Sequence, residues 1–185
     1  MRTRSILMAG LAIVASAGAT TLQKLSLDDM IQQSTGIVRA KVTGSHSAVR
    51  GQNIYTYYRL HVLEAAKANP GLDNRSPDIE VAVPGGSVNG VRQAAIGAPE
   101  LTAGAEYVVF LWTGKSGLTQ IIGLSQGLFL AVKDASGNIN LSRPAVEDLM
   151  IDRNGSPVSA DSIALRWSEL RARIGRELGH AGAGK

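Results

Sequence analysis

Two short runs carry residue types that do chemistry when their surroundings allow it. Residues 114–127 read GKSGLTQIIGLSQG. The first run, Gly114-Lys115-Ser116, is the end of a phosphate-binding loop. The second, Gly123-Leu124-Ser125-Gln126-Gly127, matches the G-x-S-x-G of a hydrolase nucleophile elbow. A phosphate loop needs a glycine five residues before Gly114 and a helix after the Ser, so that backbone N–H groups surround the phosphates. Position 109 is Val109, inside the apolar run YVVFLW, and a strand pattern follows Gly117. TGKSG therefore reads as a hairpin turn. A nucleophile elbow needs a helix after the Ser and an acid and a histidine later in the chain. LFLAVK after Gly127 is a strand pattern, and the one downstream histidine is His180, near the C-terminus.

Metal and thiol chemistry find little support. There is no cysteine, which excludes a thiol nucleophile, a thiolate metal site and a disulfide. His46, His61 and His180 are dispersed. Asp134, Ser136, Asn138 and Asn140 alternate like calcium-loop ligands, but the position for the closing Glu is Ala145. No cofactor and no metal are expected, and no catalytic constellation converges. The expected protein is not an enzyme. A serine hydrolase using Ser125 is the alternative.

Residues of another kind gather by alternation. In IVRAKVT, Val38, Ala40 and Val42 share one face of a strand and Arg39 and Lys41 the other. In YTYYRLHVLE, Thr56, Tyr58, Leu60 and Val62 share a face, leaving Tyr55, Tyr57, Arg59 and His61 opposite. If the strands pair, Arg39, Lys41, Tyr55, Tyr57, Arg59 and His61 form one outward patch of rings and cations. Such a face stacks on flat groups and attracts acidic ones. These six are the expected ligand-binding residues.

The elements that must position them follow from periodicity. Ser26-Leu-Asp-Asp29 starts a short helix that ends by Ser34. Strands are expected at Gly36–Thr43, Tyr55–Glu64, Ile79–Val83, Tyr107–Trp112, Leu118–Leu124, Leu128–Lys133 and Ile139–Leu141. Asp134–Asn138 is a turn. Ile163, Trp167, Leu170, Ile174 and Leu178 then take a helical spacing. The expected fold is mainly β: a small antiparallel barrel of about seven strands, with a short N-terminal helix and an amphipathic C-terminal helix. The expected division is a signal peptide at 1–19, the barrel at 20–158, the docked helix at 159–178 and a disordered tail at 179–185.

MRTRS followed by ILMAGLAIVASAGA resembles a secretory signal with small-x-small cleavage sites at residues 15–19. The apolar run is short for a membrane span. An exported protein, periplasmic or extracellular, with no transmembrane segment in the mature chain is expected. The formal net charge is +4, yet residues 20–160 balance. The excess sits at the two ends, so nucleic acid is not the expected partner. An anionic polymer or an envelope protein is. A second alternative is a structural component that docks through its C-terminal helix.

The order IVRAKVTG, YTYYRLHVLEAAK, VAVPGG, IGAPEL, TAGAEYVVFLW and GLSQGLF resembles a family of short exported bacterial β-proteins, over about residues 26–133. In that family a strand ending in P-G-G, a G-x-P turn, a G-E-x-x-x-F-L strand and a G-L-x-Q-G-x-F strand succeed one another. The resemblance implies that Gly123, Gln126, Gly127 and Phe129 belong to a barrel motif. Here Ala105 precedes Glu106, and AKANPG stands where a Lys-Gly pair is usual. The pattern is distantly similar to the oligonucleotide-binding-type (OB-like) barrel of netrin and metalloprotease-inhibitor domains, which implies a barrel of that type here. Those inhibitors act through an N-terminal cysteine, so inhibition does not carry over. The resemblance implies a fold and no activity.

Overall fold

The computed structural model describes residues 21–68, 77–145 and 150–183. The signal read at 1–19 and the linker at 69–76 lie outside them. The strands are β1 (Leu22–Gln23), β2 (Gly36–Arg50), β3 (Asn53–Lys67), β4 (Asp78–Pro84), β5 (Gly86–Val88), β6 (Val91–Gln93), β7 (Glu106–Thr113), β8 (Thr119–Ile121), β9 (Leu128–Lys133), β10 (Ile139–Arg143), β11 (Met150–Ile151), β12 (Pro157–Val158) and β13 (Ile163–Arg166). The helices are α1 (Leu27–Gln33) and α2 (Trp167–Ala183). The protein is mainly β, as expected. One antiparallel sheet of eight strands runs β13-β10-β9-β7-β2-β3-β4, with β8 beside β7. β4 comes alongside β8. No ladder joins them, or β4 to β13, among the described residues, so hydrogen bonding does not close the sheet into a barrel.

β7 is the centre of this sheet and is apolar on both faces. Val108, Val109, Phe110 and Leu111 are all fully buried. Side chains alternate along a strand, so β7 feeds two cores. Val109 and Leu111 meet Val38, Ala40, Leu60, Val81 and Ile121 inside the curl of the sheet. Leu101, from the loop before β7, packs against the same cluster. Val108 and Phe110 meet Ile37, Phe129, Leu141 and the two helices on the other side. Below, the helix-bearing side is called the outer face.

α1 begins as the sequence requires. Ser26 Oγ accepts from the Asp29 N–H, and Asp29 reaches back to the Ser26 N–H. The Ser26 hydroxyl, donating to Asp29 Oδ2 at 2.7 Å, and then the Ser26 N–H hold the Asp29 carboxyl below its usual range, and the Arg173 guanidinium does the same for Asp28. Arg173 grips Asp28 with two bonds of 2.7 and 2.8 Å, which ties α2 to α1. The last turn of α1 presents its carbonyls to Lys67 Nζ, 2.8 Å from Ile31 O and 3.2 Å from Gln32 O. A cation there complements the negative end of the helix, while burial pushes the Lys67 amine down.

α2 docks through Trp167, Leu170 and Ile174, all buried at 3% exposure or less. Two details differ from the helical reading of residues 159–178. Ile163–Arg166 is strand β13, paired with β10. Ile163 still faces the helix-side core, because the last strand residues and the first helical turn can point the same way. Periodicity alone cannot separate them. The helix then runs through Gly179 to Ala183 rather than stopping at a frayed tail. Gly179 lacks the positive φ of a helix-ending glycine, and a glycine inside a helix costs only about 1 kcal/mol.

Trp167 carries the docking, and its Nε1 also donates to Glu64 Oε2 at 2.7 Å. Trp167→Ala removes both the ring and that bond. The expected loss is about 3–5 kcal/mol of unfolding free energy, read as a lower urea midpoint at unchanged slope. A loss below about 1 kcal/mol would mean that α2 is not held this way.

Candidate functional site

The six residues chosen by alternation do lie on one face, the outer face of β2–β3. Register fixes them in rows: Arg39 opposite Glu64, Lys41 opposite His61, Gly44 opposite Arg59, His46 opposite Tyr57 and Ala48 opposite Tyr55. β4 extends the rows with Asp78 beside His61, Glu80 beside Arg59 and Ala82 beside Tyr57. Residues directly opposite in an antiparallel pair share a face.

This face contains residues that simple alternation sends to the other side. The register shifts between Val42 and Gly44, so Thr43 is a bulge. A bulge adds one residue and reverses the parity beyond it. His46 therefore joins the outer face instead of following Val42 inward. A second shift, between Arg39 and Ala40, leaves Leu63 unpaired and turns Glu64 outward. The sequence signals are weak: a glycine at 44 and an apolar Leu63 that is 40% exposed.

The rings group at the far end of the hairpin. His46 and Tyr57 stack with centroids 5.3 Å apart and planes 16° apart. Tyr55 is tilted against Tyr57 at 6.3 Å. Carboxylates answer some of the charges. His46 Nδ1 is 3.7 Å from Glu80, and His61 Nδ1 is 2.8 Å from Asp78. Lys41 and Arg59 have no carboxylate within ion-pair distance among the described residues.

Arg39 differs from the other five. It lies at the end nearest α2 and pairs with Glu106 at 2.8 Å. Its Nε is buried, 3.7 Å from Glu64, and makes no hydrogen bond. Glu64 is already engaged by Trp167 and by Arg171 at 2.6 Å. Arg39, Glu106, Lys133 and Ile139 line a cavity of about 550 Å³ over β2, β7 and β9. Arg39 is thus a structural cation at the head of the patch. Tyr55, Tyr57, Arg59, His61 and Lys41 form the open part, with His46, Asp78 and Glu80 added.

The P-G-G at Pro84–Gly86 supports the hairpin from behind. Thr56 Oγ1 donates to Gly85 O at 2.9 Å, and Ser47 Oγ lies 3.4 Å from Thr56 Oγ1. A Cβ at Gly86 would come within 2.7 Å of both hydroxyls, and its φ is 140°. Only glycine fits there.

The two enzyme-like runs are structural. TGKSG is the β7–β8 turn, closed by Gly114 N–H to Leu118 O and Gly117 N–H to Gly114 O. GLSQG is a short 3-10 turn, Leu124–Gly127, leading into β9. Gln126 is its working residue. It is 1% exposed; its Oε1 accepts from the Leu25 N–H and its Nε2 donates to Gln23 O. The Gln126 carbonyl accepts from Arg143 at 2.7 Å. Arg143 is buried over the Phe129 ring, and that burial pushes its pKa down. Ser125 Oγ is buried with no hydrogen-bond partner. Among the described residues, no histidine or carboxylate reaches it.

Comparisons with family models, curated proteins and solved structures gave no match. No helix among the described residues is long and apolar enough to cross a membrane. No group of three or more His, Asp or Glu among them can hold a metal ion.

A buried hydroxyl without a partner carries its desolvation cost uncompensated. Ser125→Ala should therefore leave thermal stability unchanged or raise it by up to about 1 kcal/mol. Loss of stability, or of a hydrolytic activity against generic ester substrates, would return Ser125 to the chemistry its motif suggests.

Proposed function

We propose that the protein is an exported, non-catalytic binding module that holds an anionic polymer along the outer face of β2, β3 and β4. The supporting observation is the combination on that face. Two fixed cations, Lys41 and Arg59, have no carboxylate partner within ion-pair distance among the described residues and stand beside the His46–Tyr57 stack and Tyr55. Rings offer flat contact to sugar rings or other planar groups, and unpaired cations meet acidic groups without first breaking an ion pair. Asp78 and Glu80 on the same strands set the spacing that acidic groups must respect. Export rests on the basic, then apolar, N-terminal run. Outside the cytoplasm, acidic saccharides and envelope polymers are the anions of this kind. Docking through α2 has less to support it, because the apolar stripe of that helix is occupied by its own sheet.

The test is a Tyr57→Ala, Arg59→Ala double variant against a panel of anionic glycans, with folding checked by circular dichroism. A stacked ring on such a face is worth roughly 1–3 kcal/mol, so affinity falls at least about tenfold. Binding by the parent weakens with added salt. Binding that the double variant retains in full, or that ignores salt, would move the site elsewhere.

A further inference from the structure

We infer that a second binding site lies beside Trp112, and that it takes an uncharged sugar. It lies off the β2–β3–β4 hairpin, on other elements, and does not rest on the outer-face reading. The cavity holds about 420 Å³ and is walled by Gln33 at the end of α1, Trp112 on β7, Gln120 on β8, and Ile122, Gly123 and Leu124. That volume falls within the range of small-molecule sites, roughly 300–1,000 Å³.

Trp112 stands out within its strand. Residues 108–111 are fully buried, yet Trp112 is 46% exposed. Its ring is seated on Gly114, where a Cβ would approach within 2.9 Å of the indole. The glycine leaves room for the indole beside the turn, and Trp112 also lines the cavity. No described residue accepts a hydrogen bond from Trp112 Nε1, and the Gln33 and Gln120 carboxamides are likewise without described partners.

The facing wall is rigid. Gly123 and Leu124 both have left-handed backbones, with φ of 60° and 56°. A branched leucine holds that conformation only where its surroundings impose it. Here Gln126 N–H donates to Gly123 O and Gly127 N–H to Ile122 O, while the Gln126 side chain is clasped by Gln23 and Leu25. The turn brings Leu124 into the lining in a conformation that it would not adopt freely.

The lining chooses the ligand class by exclusion. None of its side chains is charged, so an ionic ligand would find no counter-ion there. A wholly apolar ligand would cover three hydrogen-bonding groups without partnering them. A pyranose satisfies both limits. One of its faces is C–H and packs on an indole, and its rim of hydroxyls both donates and accepts, as carboxamides do.

The experiment uses the full mature chain and its own fluorescence. Trp167 is buried and Trp112 half-exposed, so a change in the water-exposed part of the emission reports the cavity. The probes are cellobiose, maltose and N,N′-diacetylchitobiose, with glucuronic acid as the charged control. At least one neutral disaccharide should give a saturable blue shift, and glucuronic acid none. Gln120→Ala should weaken that binding about tenfold with the fold intact, since one hydrogen-bonding group is lost. Trp112→Ala, followed by calorimetry, should abolish it. If Trp112→Ala does not fold, Gln120→Ala and Gln33→Ala decide the matter. Absence of a saturable shift with all three disaccharides would overturn the assignment. So would binding indifferent to these substitutions, or equal binding of glucuronic acid.

Discussion

The structure depends on one strand that is buried on both sides. β7 must place Val109 and Leu111 in one core and Val108 and Phe110 in the other. A sheet with an apolar centre on both faces needs a cover for each. The inner face covers itself by curling until β4 lies beside β8. On the outer face α1 and α2 supply the cover. Ion pairs then hold the cover down: Arg173 on Asp28 and Arg171 on Glu64. The chain has no cysteine, so packing around β7 holds the fold without disulfides.

That arrangement also decides where function can reside. The helices are long enough to seal the β7 end of the outer face and no more. The β2–β3 hairpin, fifteen residues on each strand, runs out beyond them. Its far half keeps an inner face supported by Gly86 and an outer face that neither helix covers. Arg39 marks the border: near α2 it pairs with Glu106 and touches the network around Trp167. Past Lys41 the same face is open. The candidate site is therefore the remainder left by a cover that stops short. The cavity beside Trp112 is the equivalent remainder at the other end of β7, where α1 ends at Gln33.

Much of this was legible in the residues. The Ser26–Asp29 cap, the alternation of β2 and β3 and the two-sided β7 each follow from a local rule, and each stands as read. The face carrying Tyr55, Tyr57, Arg59 and His61 was legible for the same reason. His46 and Glu64 were not, because each lies beyond a bulge, and a bulge is set by pairing with another strand rather than by its own residues. β13 reads as helix from the sequence because Ile163 keeps the helical phase while pairing as a strand. The short strands β1, β11 and β12 have two residues each and leave no periodic trace. The pairing of Arg39 was hidden too. It depends on Glu106 lying across the sheet, 67 positions away.

The claim that one doubly buried strand organises both cores is tested most directly by native-state hydrogen exchange. If it is right, the amides of β7 and those in the Leu170–Ile174 stretch of α2 exchange only through global unfolding. Their opening free energies then agree, and both fall together when Leu60, on the opposite core, is shortened to alanine. If α2 opens at far lower free energy than β7, or if Leu60→Ala leaves the α2 amides untouched, the two cores are independent and the account fails.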